Sequence, residues 1–313
     1  MALRPHGGKG QRINILMKGG LAMSSFGERN PFVLLFYYAA VSVTAMAAVN
    51  PLTGLFTLFG ALALNAVMSK ISLRFLLPLL LLFLIGSLIN PLFYHNGVTI
   101  LFFLNNNPIT LEALLYGISA SLMLVAVIVL FRAFSLMMTA DKLLYLLSSL
   151  SPKTALLLSS TLRFVPLFGR QMRKIEMSQK ALGLFEKDNA IDSIRSHARV
   201  GSILLTWALE NGIVTADSME ARGYGIGKRT SFSLFRFRRE DGLLLLVMAL
   251  LFLPVLIGLF CGAFSITYYP QLQPPLRSPL TLTAYASHIL LVITPILYEG
   301  KEKIKWHFLR SSI

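Results

Sequence analysis

The run Gly-Tyr-Gly-Ile-Gly-Lys-Arg-Thr, residues 223–230, has the composition of a loop that cradles phosphate. A phosphate loop needs a glycine five places before its Gly-Lys pair and a Ser or Thr directly after it. Here Arg222 holds the first place and Arg229 follows Lys228, so the match fails. Gly7-Gly8-Lys9-Gly10 fails in the same way. The five histidines, 6, 95, 197, 288 and 307, show no metal-ligand spacing, and the single Cys261 permits neither a disulfide nor a cysteine-based metal cluster. His288 lies in an apolar stretch, where a packed or hydrogen-bonded histidine is the stronger reading than a functional one. No catalytic constellation and no metal site is read from the chain.

One short polar stretch keeps a chemical reading of another kind. Ala-Asp-Ser-Met-Glu-Ala-Arg-Gly-Tyr-Gly, residues 216–225, closes a long segment too hydrophilic to enter lipid. Glycine after Ala221-Arg222 permits the left-handed cap that stops a helix abruptly. The arginine supplies a planar five-donor fork suited to a carboxylate on a partner. Ala181-Leu182-Gly183 closes an earlier helix in the same manner. These are the features of docking tips, although a solvated arginine beside an ordinary cap has the same residues.

The elements that must position such tips belong to a membrane protein. The 313 residues are 55% hydrophobic and only 14% charged, with a mean hydropathy of +0.67. Soluble domains are nearer a quarter charged. Six apolar stretches approach the roughly 20 residues needed to cross a hydrocarbon core: 32–49, 51–68, 73–90, 111–138, 242–264 and 280–298. Asn30-Pro31, Asn50-Pro51, Asn90-Pro91 and Asn107-Pro108 mark expected boundaries, because proline disfavours helix for the residue before it. Pro78 and Pro254 are read as kinks.

The net charge is +15, and its placement matters more than its size. With the amino terminus inside, 28 of the 29 Lys and Arg fall on one side, leaving only Arg277 on the other. That asymmetry predicts cytoplasmic termini, and the basic charge reads as topology rather than as a nucleic-acid surface. The first thirty residues lack an apolar core, so no cleavable leader is expected. The spans are nearly bare of carboxylates, with Glu112 and Glu299 only at ends; an ion or proton path would be expected to carry them. Arg132, near the inner end of the fourth span, can snorkel. The outer segment 91–110 reads either as a short hairpin at the interface or as an ordinary loop with interfacial aromatics.

The resulting fold class is an all-α integral membrane protein, with about six transmembrane helices plus long cytoplasmic coupling helices. Its parts are a cytoplasmic tail (1–30), helices one to four (31–138), cytoplasmic coupling helices (139–241), helices five and six (242–298) and a cytoplasmic tail (299–313). In the insertion, one helix is predicted from Ser151-Pro152 to Gly183, bent at Pro166. A second is capped by Asp188 or Asn189 and stopped by Gly223. The second carries two stripes: Ile191, Ile194, Ala198, Gly201, Leu205 and Ala208, then Val200, Ile203, Leu204 and Trp207. Two apolar stripes on one helix predict several partners or contact with the membrane surface.

The runs Leu-Arg-Phe-Val-Pro-Leu (162–167), Ser-Gln-Lys-Ala-Leu-Gly (178–183), Ala-Asp-Ser-Met-Glu-Ala-Arg-Gly-Tyr-Gly (216–225) and Gly-Lys-Arg-Thr-Ser-Phe (227–232) occur in that order after four spans. In this ordered set the chain resembles the transmembrane T components (EcfT/CbiQ family) of energy-coupling factor (ECF) ABC transporters, over about residues 24–239. The resemblance implies a non-catalytic subunit in the plasma membrane of a prokaryote, without a cofactor of its own. ATP and Mg would be bound by two cytoplasmic ABC-type ATPases. A separate membrane-embedded S component would capture a vitamin or related micronutrient, with cobalt or nickel as the alternative cargo.

The resemblance further implies coupling helices that cross and dock by their tips on the ATPases. By position, Ala221, Arg222 and Gly223, with Glu220 beside them, match the second docking motif. Ala181, Leu182 and Gly183 match the first, with leucine where arginine is usual. Ile203, Leu204 and Trp207 are the expected S-component contacts. A non-transporting membrane scaffold for ATPases is the alternative from another class; a self-sufficient channel or carrier is disfavoured by the bare spans.

Overall fold

The computed structural model describes residues 26–68, 72–104, 107–184, 190–227, 235, 237–273, 275 and 278–311. They fall into two compact units, Met1–Ala140 with Phe235–Ile313, and Asp141–Leu234. The first holds α1 (Pro31–Ala47), α2 (Pro51–Met68), α3 (Leu73–Phe93), strands β1 (Ile100–Leu104) and β2 (Asn107–Thr110), and α4 (Leu111–Met137). After the second unit it resumes with α8 (Arg239–Phe260) and α9 (Pro279–Ser311). The second unit consists of α5 (Ala140–Leu150), α6 (Pro152–Ala181) and α7 (Ala190–Ala221). The protein is an all-α membrane protein apart from one hairpin among the described residues.

Among the described residues five helices are long and apolar enough to cross a membrane: α2, α3, α4, α8 and α9 as far as Lys301. The sixth expected span, α1, is apolar but only 17 residues long. Of the most apolar stretches of α3 and α8, only 17% is buried inside the protein, so most of their surface needs an apolar solvent.

Two of the Asn-Pro pairs start helices as expected. Asn30 Oδ1 accepts from the Phe32 amide at 3.1 Å, and Asn50 Oδ1 from the Leu52 amide at 3.0 Å, each with proline at the first helical position. The other two do not. Pro91 lies inside the last turn of α3, where its fixed φ suits a helix and it withholds only the bond to the Ser87 carbonyl. Asn90 instead donates across the fold, to the Ala113 carbonyl at 2.8 Å and the Tyr269 hydroxyl at 3.0 Å. Pro108 falls in β2 of a two-stranded hairpin, where only edge strands exist and a missing N–H is tolerated. The start of α4 is set by Thr110, whose hydroxyl accepts from the Ala113 amide at 3.4 Å. Helices α3 and α8 run uninterrupted through Pro78 and Pro254.

Segment 91–110 contains a short hairpin rather than an ordinary loop. Strands β1 and β2 pair antiparallel, Phe103 opposite Pro108, with a bulge between Ile100 and Phe102. Glu112, at the start of α4, ties the hairpin base by accepting from the Thr99 amide (3.2 Å) and hydroxyl.

Within the first unit, α4 packs against α1, α2 and α3, while α9 packs against α8 and α2. Several of its buried polar groups are hydrogen-bonded across the fold. The Tyr268 hydroxyl donates to the Val49 carbonyl at 3.1 Å and meets Ser119 Oγ at 2.9 Å; burial raises this phenol above the usual tyrosine range and keeps it protonated. Asn50 meets Tyr285, and His288 lies fully buried with Nε2 3.0 Å from Thr57 Oγ1. His288 is thus a packed, hydrogen-bonded histidine.

At the start of α1, Phe26 is fully buried and its amide donates to Glu299 Oε1 at 2.8 Å. Arg29 bonds Glu240 at 2.7 Å and Asp241 at 3.3 Å and lies over the Tyr298 ring at 4.8 Å. Asp241 also closes a capping box at the start of α8 by accepting from the Arg238 amide at 3.0 Å. One clasp therefore joins the starts of α1 and α8 to α9.

Candidate docking tips

The second unit is built on two long helices. Proline at the first position starts α6, which continues for 30 residues without a break at Pro166. Leu156, Leu157, Leu162 and Val165 on it remain exposed. Helix α7 runs for 32 residues; its expected caps, Asp188 and Asn189, lie outside the described residues, as do residues 228–232 and the basic tail 1–25.

Each helix ends in the same hydrogen-bonded motif. After α6, the Gly183 amide donates to the Lys180 carbonyl at 3.1 Å and the Leu184 amide to the Gln179 carbonyl at 3.0 Å. After α7, the Gly223 amide donates to Glu220 at 2.8 Å and the Tyr224 amide to Met219 at 3.0 Å. These nested bonds define a Schellman cap, which requires the left-handed region at the residue that reverses the chain. Gly183 and Gly223 have φ of +69° and +78°. The equivalence pairs Leu182 with Arg222 and Leu184 with Tyr224, position by position.

The tips are exposed but chemically unlike. Leu182 is 68% and Ile226 86% accessible, and Ala181, Ala221, Arg222 and Glu220 are exposed with them. Among the described residues Arg222 has no ion-pair partner. The first tip thus offers a leucine where the second offers a guanidinium.

Between the tips the helices meet through aromatic rings. Phe164 stacks on Phe168 at 5.8 Å, and Phe168 meets Trp207 edge-on at 5.9 Å. Nearer the first tip, the Leu184 carbonyl accepts from Arg199 Nη1 at 3.1 Å and from Ser196 Oγ at 3.4 Å. As numbers rise along α6 they fall along α7, so this stretch is antiparallel. Leu182 follows Phe168 by 14 residues, and Arg222 follows Trp207 by 15. At 1.5 Å per residue the tips lie about 21 and 22 Å from the aromatic contact, in opposite directions.

The two stripes of α7 separate. Val200, 2% exposed, and half-buried Leu204 and Trp207 belong to the second stripe, with Ile203 at its exposed edge. Ile191, Ile194 and Leu205 of the first stripe are exposed. Sequence reasoning missed Phe168 and the strap from Arg199 and Ser196 to Leu184. It also missed the matched Leu184 and Tyr224, whose signal is an apolar residue directly after each capping glycine.

The geometry offers two exposed, glycine-capped helix ends; among the described residues no three His, Cys, Asp or Glu groups converge. Comparison with known proteins bears on the chain as a whole. The family described as cobalt transport protein (CbiQ) matches residues 28–234. The energy-coupling factor transporter transmembrane protein EcfT of Listeria innocua serovar 6a (strain ATCC BAA-680 / CLIP 11262) is 39% identical over 99 residues, 31% of this chain and 37% of that relative. EcfT 1 of Listeria monocytogenes serotype 1/2a (strain 08-5578) is 28% identical over 209 residues, 63% of this chain and 78% of that relative.

Proposed function

Since the chain belongs to the EcfT/CbiQ family of transmembrane transport components, we propose that it is the energy-coupling subunit of an ECF-type importer. In this reading the second unit is cytoplasmic and its tips dock on two ATPases, which bind ATP and Mg. Closure of the ATPases on ATP moves the tips; α6 and α7 carry that motion to an S component in the bilayer, which releases a vitamin or related micronutrient inward. The chain performs no chemistry itself. The observation that carries the reading is the pair of exposed, identically capped tips on one packed helix pair.

Each tip suits a different groove. The Arg222 guanidinium, beside Glu220 and flanked by Ala221 and Gly223, suits a partner carboxylate that it can grip with two parallel N–H bonds. The Leu182 tip, between Ala181 and Gly183, suits an apolar pocket. Ile203, Leu204 and Trp207 lie midway between the tips, where motion from both would converge, and are assigned to the S-component contact.

The test is co-purification with two ATPases and an S component, followed by uptake in proteoliposomes. Arg222→Ala should weaken assembly and transport by about tenfold or more, the loss of one charge-assisted pair. Unchanged assembly and uptake in Arg222→Ala, with both abolished by Leu182 substitutions, would overturn the assignment. A scaffold would assemble without stimulating uptake. The family description names cobalt, so mass spectrometry of ligand copurified with the native complex decides between a vitamin and a cobalt or nickel cargo.

A further inference from the structure

Arg132 sits in the penultimate turn of α4, and its guanidinium lies 3.8 Å from the centre of the Phe75 ring, in the first turn of α3. Its Nη1 is buried and has no hydrogen-bond acceptor, while the side chain as a whole is only half-buried. Among the described residues no carboxylate pairs with it. Stacking on a ring is a weak attraction that does not neutralise a partly desolvated cation.

Its helical surroundings add to the imbalance. Phe75 lies in the first turn of α3, where the helix presents partial positive charge. The partial negative end of α4 does not compensate, because that field fades within the last turn and Arg132 precedes Met137 by five residues. Arg74, exposed on the same first turn, adds a second cation. A guanidinium therefore lies against a helix N-terminus whose first turn carries a second arginine, and among the described residues no carboxylate pairs with either.

Depth identifies what supplies the anion. Arg132 and Phe75 are at the same end of two adjacent helices long and apolar enough to span, each within about two turns of its helix end. Toward the midplane the neighbouring surface is apolar and exposed at Leu76, Leu80 and Ile128. A ligand with phosphate at the membrane surface and hydrocarbon below it meets both features. Free phosphate meets only the first.

We propose that Arg132, stacked on Phe75 and assisted by Arg74, binds the phosphate of an anionic phospholipid against the α3–α4 pair. With Nη1 buried, Nε and Nη2 of the half-buried side chain offer the parallel N–H bonds to two phosphate oxygens, and the acyl chains lie along α3. The site is independent of the docking tips and of any transported substrate.

Native mass spectrometry of the full chain in nonionic detergent tests this, with phosphatidylglycerol, diacylglycerol and inorganic phosphate as separate probes. Wild type should retain one phosphatidylglycerol, and Arg132→Met should lose it by about tenfold, as expected for a charge-assisted bond. Arg74→Gln should lose less. Diacylglycerol should not be retained, and millimolar phosphate should not displace the lipid. Retention in Arg132→Met equal to wild type overturns the proposal. Equal losses in Arg74→Gln and Arg132→Met also overturn it, because they indicate diffuse surface charge. Displacement by phosphate assigns the site to a soluble anion and overturns the lipid. If Arg132→Met does not fold by circular dichroism, Arg132→Lys and Phe75→Leu replace it. Each keeps a cation but removes the fork or the stack; each should lose several-fold, and full retention in both overturns the site.

Discussion

The indole of Trp207 meets the ring of Phe168 edge-on, with centroids 5.9 Å apart and planes at 78°. Among the described residues it is the ring contact that joins α7 to α6 midway between the tips. An edge-to-face pair contributes about 1 kcal/mol beyond the area it buries. Replacing Trp207 with alanine should leave both tips capped and able to dock but loosen what joins them. In a reconstituted complex, ATP hydrolysis should continue while uptake falls about fivefold, the rate equivalent of about 1 kcal/mol. An equal fall in both activities would place Trp207 in docking.

The two capping glycines make a sharper test. A Cβ at Gly183 would meet open space, and one at Gly223 only Ile226 Cδ1 at 3.6 Å. Alanine at either position therefore acts through the positive φ alone, at about 1 kcal/mol. Asparagine, which tolerates that region, should cost less. Measured affinity for the ATPases should rank Gly above Asn above Ala at each tip. A steric role for either glycine would put Asn below Ala.

Arg29→Met should open the clasp between α1, α8 and α9. Asp241 is 3% exposed, and losing the partner of a buried carboxylate costs about 3 kcal/mol. The measurable outcome is a lower melting temperature in detergent. Glu240→Gln should do far less, since that carboxylate is 70% exposed and screened by solvent.

Cys261, the one cysteine, is exposed just past the end of α8. With the basic side inside, α8 begins inside at Arg239 and delivers Cys261 to the outer face. A membrane-impermeant maleimide should therefore label intact cells at this residue, and Cys261→Ser should abolish the label. Labelling only after lysis would invert the topology.

Much of the fold was legible because membrane crossing demands long apolar runs, and the runs are bounded by polar residues. Asn30-Pro31 and Asn50-Pro51 read correctly since Asn caps and Pro starts a helix locally. Asn90-Pro91 misled because the side chain of Asn90 bonds Ala113 and Tyr269, partners distant in sequence. The tips were legible for the same local reason: a glycine with positive φ is held in a cap whose two bonds reach only three and five residues back. Phe168 was not, since nothing near it in sequence signals that it will face Trp207. The stripe of Ile191, Ile194 and Leu205 was visible as a pattern, but only packing shows that it points away from α6.

The near-equal spacing of Leu182 and Arg222 from the aromatic contact has a mechanical consequence. A beam supported at its centre has no gearing: displacement at one end appears undiminished and reversed at the other. If Phe168 and Trp207 act as the fulcrum, neither tip has the longer arm, and the unlike chemistry of the two ends cannot be compensated by leverage. On the proposed function, any asymmetry in the stroke then arises in how tightly each end is gripped, at Leu182 and at Arg222.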